Sequence, residues 1–401
     1  MNEHLTRREA LVAALAAAAL GGQALTRPRP ARAAVSAKVG VILPLSKSTD
    51  SGEANNVLKS ARLWADWVNG RGGVDGQHVV LKAYDSMGNP DGAAKTMVRA
   101  VTKDGCVVIL GGYTTSEALA EIEVAHQYKV PMFVSYAWSS QVTRANYPEV
   151  VRIGPNNDML ANAFAPFMTK QHYRHVALLA EDTAFGQGFG EIVRATSTLA
   201  GIDMNAQTFP RDTSDLRPTL KKVLPGKPAA IVLVGSTAGS ARYLGVTQAR
   251  SAGYKGDIVL GWDYLDKAFW KATGKLGVGA IWPTFSSPTL HLTSAGQTFR
   301  QAFTKKYQHQ PQTYQAFTWD QLSAWKWAVE TAGSVAPADV VPVLPRIDMP
   351  GTMGHITLSN QPGTVHFNQW EGVTVYFDQA TKKGATDANA RVIATIKGHA
   401  P

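Results

Sequence analysis

The chain has 401 residues, of which 45% are hydrophobic and 17% charged, a balance that excludes a disordered polymer and suits two domains of about 150 to 200 residues. The formal net charge is +10, but Arg7, Arg8, Arg27, Arg29 and Arg32 fall in the first 33 residues and the rest is dispersed, with no basic run interleaved with aromatics, so no nucleic-acid partner is expected. The single cysteine, Cys106, allows no intramolecular disulfide and falls on a predicted buried strand, where it reads as a small core residue and not a nucleophile.

In chain order, residues 1–33 read as an export signal. Thr6-Arg7-Arg8-Glu9-Ala10-Leu11 precedes an apolar stretch over 11–20, and Ala31-Arg32-Ala33 supplies the small-x-small pattern of a cleavage site; the paired arginines make it twin-arginine in type. An apolar stretch of about ten residues is short of the roughly 20 needed to span a bilayer. No cysteine follows it for lipid attachment. The expectation is a protein diffusing freely in the periplasm, with no membrane anchor.

The remainder alternates strands and helices. Lys38-Val39-Gly40-Val41-Ile42-Leu43-Pro44-Leu45 is a predicted buried strand, followed by a Ser-rich loop over 46–52 and a helix over 55–69. Gly70-Arg71-Gly72-Gly73-Val74-Asp75-Gly76 ends that helix with residues that tolerate positive φ. A strand over 78–85 and a helix over 90–103 lead to Val107-Val108-Ile109-Leu110-Gly111-Gly112-Tyr113-Thr114-Thr115-Ser116, a strand running through a hydroxyl turn into a helix over 117–128. The same unit returns as Ile231-Val232-Leu233-Val234-Gly235-Ser236-Thr237-Ala238-Gly239-Ser240 before a helix over 241–252. Each copy ends in a strand running into aromatics, Tyr136-Ala137-Trp138 in the first and Gly261-Trp262-Asp263-Tyr264 in the second.

Between the copies, a helix over 158–173, a strand over 176–180, a loop over 181–188 and a helix over 189–200 begin the pattern again. The fold class expected is therefore α/β: two Rossmann-like lobes with parallel sheets, their strand-end loops facing across a ligand cleft. Predicted helices over 293–308 and 318–332 should return to the first lobe and the β-rich tail to the second. This assigns 34–152 and 283–345 to lobe 1, and 153–282 and 346–401 to lobe 2.

Catalytic signals are missing from the sequence. There is no HExxH, no GxSxG and no cysteine cluster, while Gly186-Gln187-Gly188-Phe189-Gly190 lacks the GxGxxG spacing of a dinucleotide loop. His172 and His175 read as a solvated face and not a metal site. No enzyme activity, cofactor or metal is expected.

Several stretches together resemble the periplasmic solute-binding proteins of the branched-chain amino acid and amide importer family. They are Val39 to Ser46, Val68-Asn69-Gly70-Arg71-Gly72-Gly73-Val74-Asp75-Gly76, Tyr84-Asp85-Ser86, the turn from Gly111 to Ser116, Glu181-Asp182-Thr183-Ala184-Phe185-Gly186 and Gln248-Ala249-Arg250-Ser251-Ala252-Gly253. The resemblance covers about 38–378 and rests on order and spacing. It implies three crossovers between the lobes, a hinge that closes on a small-molecule ligand, and delivery to the membrane permease of an ABC importer with cytoplasmic ATPases. A ligand-sensing receptor module of the same fold is the alternative use.

The resemblance also implies a site. The first-lobe turn that holds a ligand carboxylate falls on Tyr113, Thr114 and Thr115, where the amides opening a helix attract an anion; Thr114 with Glu117 equally spells a capping box. The second first-lobe contact falls on Tyr136, Ala137 and Trp138, two of them aromatic where amino-acid binders carry small residues and a threonine. On the second lobe, Phe185 stands for a covering tyrosine, and Asp263 for the acid that pairs with an α-ammonium, or it caps the next helix. Phe317 matches an apolar side-chain contact, and Gly88 and Thr114 stand where some members have a cysteine pair. A small amino acid or amide leads as the expected ligand; an aromatic carboxylate is the alternative, on account of Tyr136, Trp138, Phe185, Trp262 and Phe317.

Overall fold

The computed structural model of the chain describes residues 36–235, 241–262, 265, 267–286 and 292–397. The predicted export signal, the second hydroxyl turn over 236–240, and Asp263 lie outside the described residues.

Strands β1 (Ala37–Leu43), β2 (Val79–Asp85), β3 (Val108–Gly111), β4 (Met132–Val134) and β5 (Val150–Val151) form one sheet in the order β2-β1-β3-β4-β5, parallel throughout. Burial on both faces explains their continuous apolar runs: every residue of β3 and β4 is buried, and all of β1 but Lys38. The chain then crosses to a second sheet, β6 (His175–Glu181), β7 (Asp203–Phe209), β8 (Ala230–Val234), β9 (Asp257–Leu260) and β10 (Ile281–Thr284). It returns through helices Ser294–Tyr307 and Thr313–Ala332, which pack on the first-lobe helix Ser51–Asn69. Trp64 and Trp325 meet there at 6.2 Å between ring centroids, and Ser60 Oγ donates to Gln315 O at 2.6 Å.

A small antiparallel sheet, β11 (Asp348–Pro350), β12 (His355–Ser359) and β13 (Gln369–Trp370), precedes the third crossing. Strands β14 (Thr374–Gln379) and β15 (Arg391–Lys397) then complete the second sheet in the order β15-β14-β10-β9-β8-β6-β7. The expected parallel sheets are present, with one antiparallel edge. From β10 outward the pairing is antiparallel, because β14 enters from the hinge side and meets the neighbour whose chain runs the other way.

Helix boundaries also differ: Ser51–Asn69 and Thr313–Ala332 begin earlier than expected, at 51 and 313 and not at 55 and 318. The predicted loop over 181–188 is mostly helix, since Ala184–Leu199 starts at Thr183, whose hydroxyl accepts from Gly186 N–H at 3.1 Å. Its glycines serve close packing: a Cβ on Gly186 would lie 2.2 Å from Glu181 O, and one on Gly190 3.2 Å from Ala180 Cβ. Among the described residues, no helix is long and apolar enough to cross a membrane.

Candidate ligand-binding site

The carboxyl ends of the strands in both sheets point their loops at one another, the place where parallel sheets take ligands. In the first lobe, β3 ends at Gly111 and turns at Gly112 (φ +69°), whose N–H donates to Glu121 Oε2 at 2.6 Å. Gly111 has to lack a side chain, for a Cβ there would lie 2.1 Å from that same oxygen. Thr114 then caps helix Thr115–Tyr128 with both halves of a capping box. Its hydroxyl donates to Glu117 Oε2 at 2.6 Å and accepts from Glu117 N–H at 3.3 Å, while its own N–H reaches Glu117 Oε2 at 3.0 Å.

This geometry divides the roles of two neighbouring threonines. The one proton of the Thr114 hydroxyl is spent on Glu117, so it has none to donate into the cleft. Thr115 and Ser116, both lining the cavity, sit in the first turn, where amides have no acceptor within the helix. Beneath them Glu117 and Glu121 are both buried, and burial pushes both carboxyls up, Glu121 well above the ordinary range with Glu117 adding to it.

The loop after β4 is tied to the same turn. Ser135 N–H donates to Gly111 O at 2.6 Å, and the N–H groups of Tyr136 and Ala137 to Gly112 O at 3.2 and 2.9 Å. Tyr113 and Tyr136 therefore stack, with centroids 5.0 Å apart and planes 19° from parallel. Ala137 lines the cavity between Tyr136 and Trp138, whose rings lie 5.6 Å apart.

From the second lobe come Glu181 at the end of β6, Thr183, Ala184 and Phe185 at the start of the next helix, Arg211 beyond β7 and Trp262 beyond β9. They meet the first lobe directly. Trp262 Nε1–H donates to Tyr136 Oη at 2.8 Å, and the Trp138 and Trp262 rings cross at 3.9 Å and 71°. Phe185 lies 6.5 Å from Trp138, edge to face. Arg211 Nη2 donates to Asp50 Oδ2 at 2.5 Å, an ion pair between lobes with the acid almost fully buried. Burial pulls the Arg211 pKa down, but Asp50 and Glu181 beside it outweigh that and leave it raised.

The cavity, partly open to solvent, measures about 180 Å³. A dry cavity of about 150 Å³ admits benzene, so one ring and a polar group fit. Tyr113, Thr114, Thr115, Tyr136, Ala137, Trp138 and Phe185 all line it. Phe317 does not. It is buried one layer behind, 6.2 Å from Phe285, which in turn lies 5.8 Å from Trp138. Trp262, expected only as part of an aromatic-acid pocket, lines the same cavity, and so do Asp50, Glu181, Thr183 and Arg211, which the sequence did not single out for the site. Among the described residues, no group of three or more His, Cys, Asp or Glu side chains is arranged to hold a metal ion.

A sequence model described as periplasmic binding protein matches residues 36–385. Among curated relatives, Leu/Ile/Val-binding protein homolog 8 of Brucella suis biovar 1 is 25% identical over 387 residues, spanning 90% of this chain and 95% of its own length. Among solved structures, a leucine-binding protein of Thermotoga maritima gives a TM-score of 0.79 at 20% identity, with 90% of this chain and 99% of that one covered. A solute-binding protein of R. palustris in complex with benzoate gives 0.79 at 18% identity, covering 92% and 98%. At such identities the solved structures show a shared fold.

Proposed function

Because the chain belongs to the periplasmic binding protein family, a family of ABC-transporter binding proteins and not of enzymes, we propose that it captures a small carboxylate with a flat apolar body and passes it to the permease of an importer. The observation that carries this reading is the ring of Tyr113, Tyr136, Trp138, Phe185 and Trp262 around a cavity of about 180 Å³. Such walls stack a planar ligand at low entropic cost. The Thr115 and Ser116 amides, the Thr115 hydroxyl and Arg211 supply donors for the carboxylate. Thr114 shapes that end as a cap, Ala137 leaves the space, Phe185 covers the ligand, and Phe317 backs the aromatic wall through Phe285. Residues 1–33 act as the twin-arginine leader and place the mature chain in the periplasm.

A branched-chain amino acid is the second reading, favoured by the Glu181 carboxylate on the cavity wall, a partner for an ammonium group. Asp263 belongs to that reading. Both ligand classes occur among proteins of this fold, in the leucine-binding protein of T. maritima and the benzoate complex of R. palustris.

A thermal-shift screen of the mature protein against benzoate, hydroxybenzoates, leucine and isoleucine separates the two, since a ligand at 100 times its dissociation constant adds about 2.7 kcal/mol. Benzoates should raise the melting temperature and aliphatic amino acids leave it unmoved, with the gain reduced in Thr115→Ala. A shift from leucine alone, abolished by Asp263→Ala, would replace the aromatic reading with the amino-acid one.

A further inference from the structure

Arg152 stands where the chain leaves β5 for the second lobe, and its side chain is 1% exposed. Among the described residues no carboxylate bonds it. Its Nε donates to Gln369 Oε1 at 2.6 Å, Nη1 to Ser139 O at 2.8 Å and Ala137 O at 3.4 Å, and Nη2 to Thr143 Oγ1 at 3.1 Å. Burial pulls its pKa down to about 9, opposed only by the field of Asp158. A buried guanidinium held by neutral acceptors is a poor way to fill a core; an apolar side chain of like volume does that better.

What an apolar residue cannot do is join three segments. The planar fork reaches the aromatic loop after β4, the short helix Gln141–Arg144 at Thr143, and β13 at Gln369. The backbone repeats the connection. Arg152 N–H donates to Asn368 O at 3.0 Å and accepts through its carbonyl from Trp370 N–H at 3.0 Å, so the first and third crossings run side by side. Asn157 N–H donates to Trp138 O at 2.7 Å. Thus the carbonyls of Ala137, Trp138 and Ser139, three in succession, are all held by residues of the first crossing, and the ring they carry is the one that meets Trp262 and Phe285 across the cleft.

We infer that Arg152 is a positioning residue for ligand selection: it fastens the Trp138 loop to the two crossings beside it and so sets how far the Trp138 ring reaches into the cavity. The inference rests on that cavity being the ligand site, and not on which ligand fills it. Removing the fork loosens the loop locally, leaving the cores of both sheets packed as before.

The test compares Arg152→Lys, which keeps a long basic side chain and loses the fork, with Arg152→Met, by amide hydrogen exchange and by titration with benzoate and leucine. In Arg152→Lys, exchange at Asn157 and Val142 should rise about ten-fold or more relative to Leu178 and Leu179 of β6, and affinity for whichever probe the wild type binds should fall about ten-fold, the scale of one charge-assisted hydrogen bond. An equal rise at all four amides, or loop protection and affinity both unchanged, overturns the inference and leaves Arg152 a packing residue. Should Arg152→Met fail to fold, Arg152→Lys still decides. A wild type that binds neither probe refutes the proposed ligand class, while the exchange pattern still decides the role of Arg152.

Discussion

Asp378 is fully buried in β14, opposite Trp282 of β10, and neither of its carboxylate oxygens has a hydrogen-bond partner among the described residues. Burial, with Asp387 adding to it, pushes its pKa up to about 8; Asp387, which accepts from Trp282 Nε1–H at 2.8 Å, is raised to about 6, and Asp320 to about 7 although Thr352 N–H and Oγ1–H both donate to it. Each group holds its proton more tightly folded than unfolded, where a carboxyl titrates near 3.9. The stability they lend is complete below that unfolded value and is lost as pH rises through about 6, 7 and 8. The denaturant midpoint should therefore fall between pH 5 and pH 8, and Asp378→Asn should flatten the upper part of that fall; an unchanged slope in the variant would show that Asp378 is not among the groups titrating there. Residues of this kind were not legible in the sequence, because an aspartate amid β formers says nothing of its solvent. Thr114 was legible, since Thr-x-x-Glu before a helix has a local meaning. Asp50 and Arg211 lie 161 positions apart, and only the meeting of the lobes pairs them.

At the scale of elements, β1, β3 and β4 were plain in the sequence because strands buried on both faces leave continuous apolar runs. The edge strand β7 was not, as most of Asp203–Phe209 faces solvent and reads as polar. That is also why Arg211, two residues past it, was missed. Helix Ala184–Leu199 was placed five residues late because three glycines within Gly186 to Gly190 signal a loop by composition alone. Packing gives those glycines different work. A methyl group on Gly186 would meet Glu181 backbone at 2.2 Å, whereas on Gly188 its nearest neighbour is Asn157 Nδ2 at 3.6 Å, an ordinary contact. Gly186→Ala should cost about 1 to 3 kcal/mol through overpacking. Gly188→Ala should gain about 0.5 to 1 kcal/mol from helix propensity. Urea denaturation of the two variants gives shifts of opposite sign if the helix starts at Ala184; two stabilising shifts would return the segment to a loop.

At the scale of the molecule, the duplicated strand, turn and helix announced two lobes and a cleft, but not the contacts that hold the lobes together. Those include the Arg211–Asp50 ion pair and the aromatic crossing of Trp138, Trp262 and Tyr136, with Phe185 and Phe285 beside it. The ion pair is asymmetric. Without Arg211, Asp50 keeps a buried charge and loses the guanidinium that bonds it, whereas without the Asp50 charge Arg211 still lies in the field of Glu181. Arg211→Gln should therefore open the lobes further than Asp50→Asn. Small-angle scattering reads this as a rise in radius of gyration above the roughly 21 Å of a compact chain of this length. Binding separates the variants again, because Asp50→Asn keeps a cation facing the cavity and Arg211→Gln does not. A carboxylate probe should lose affinity in Arg211→Gln and keep it in Asp50→Asn. If the two variants scatter alike and bind alike, the pair is a surface contact between lobes whose closure is governed by the aromatic crossing alone.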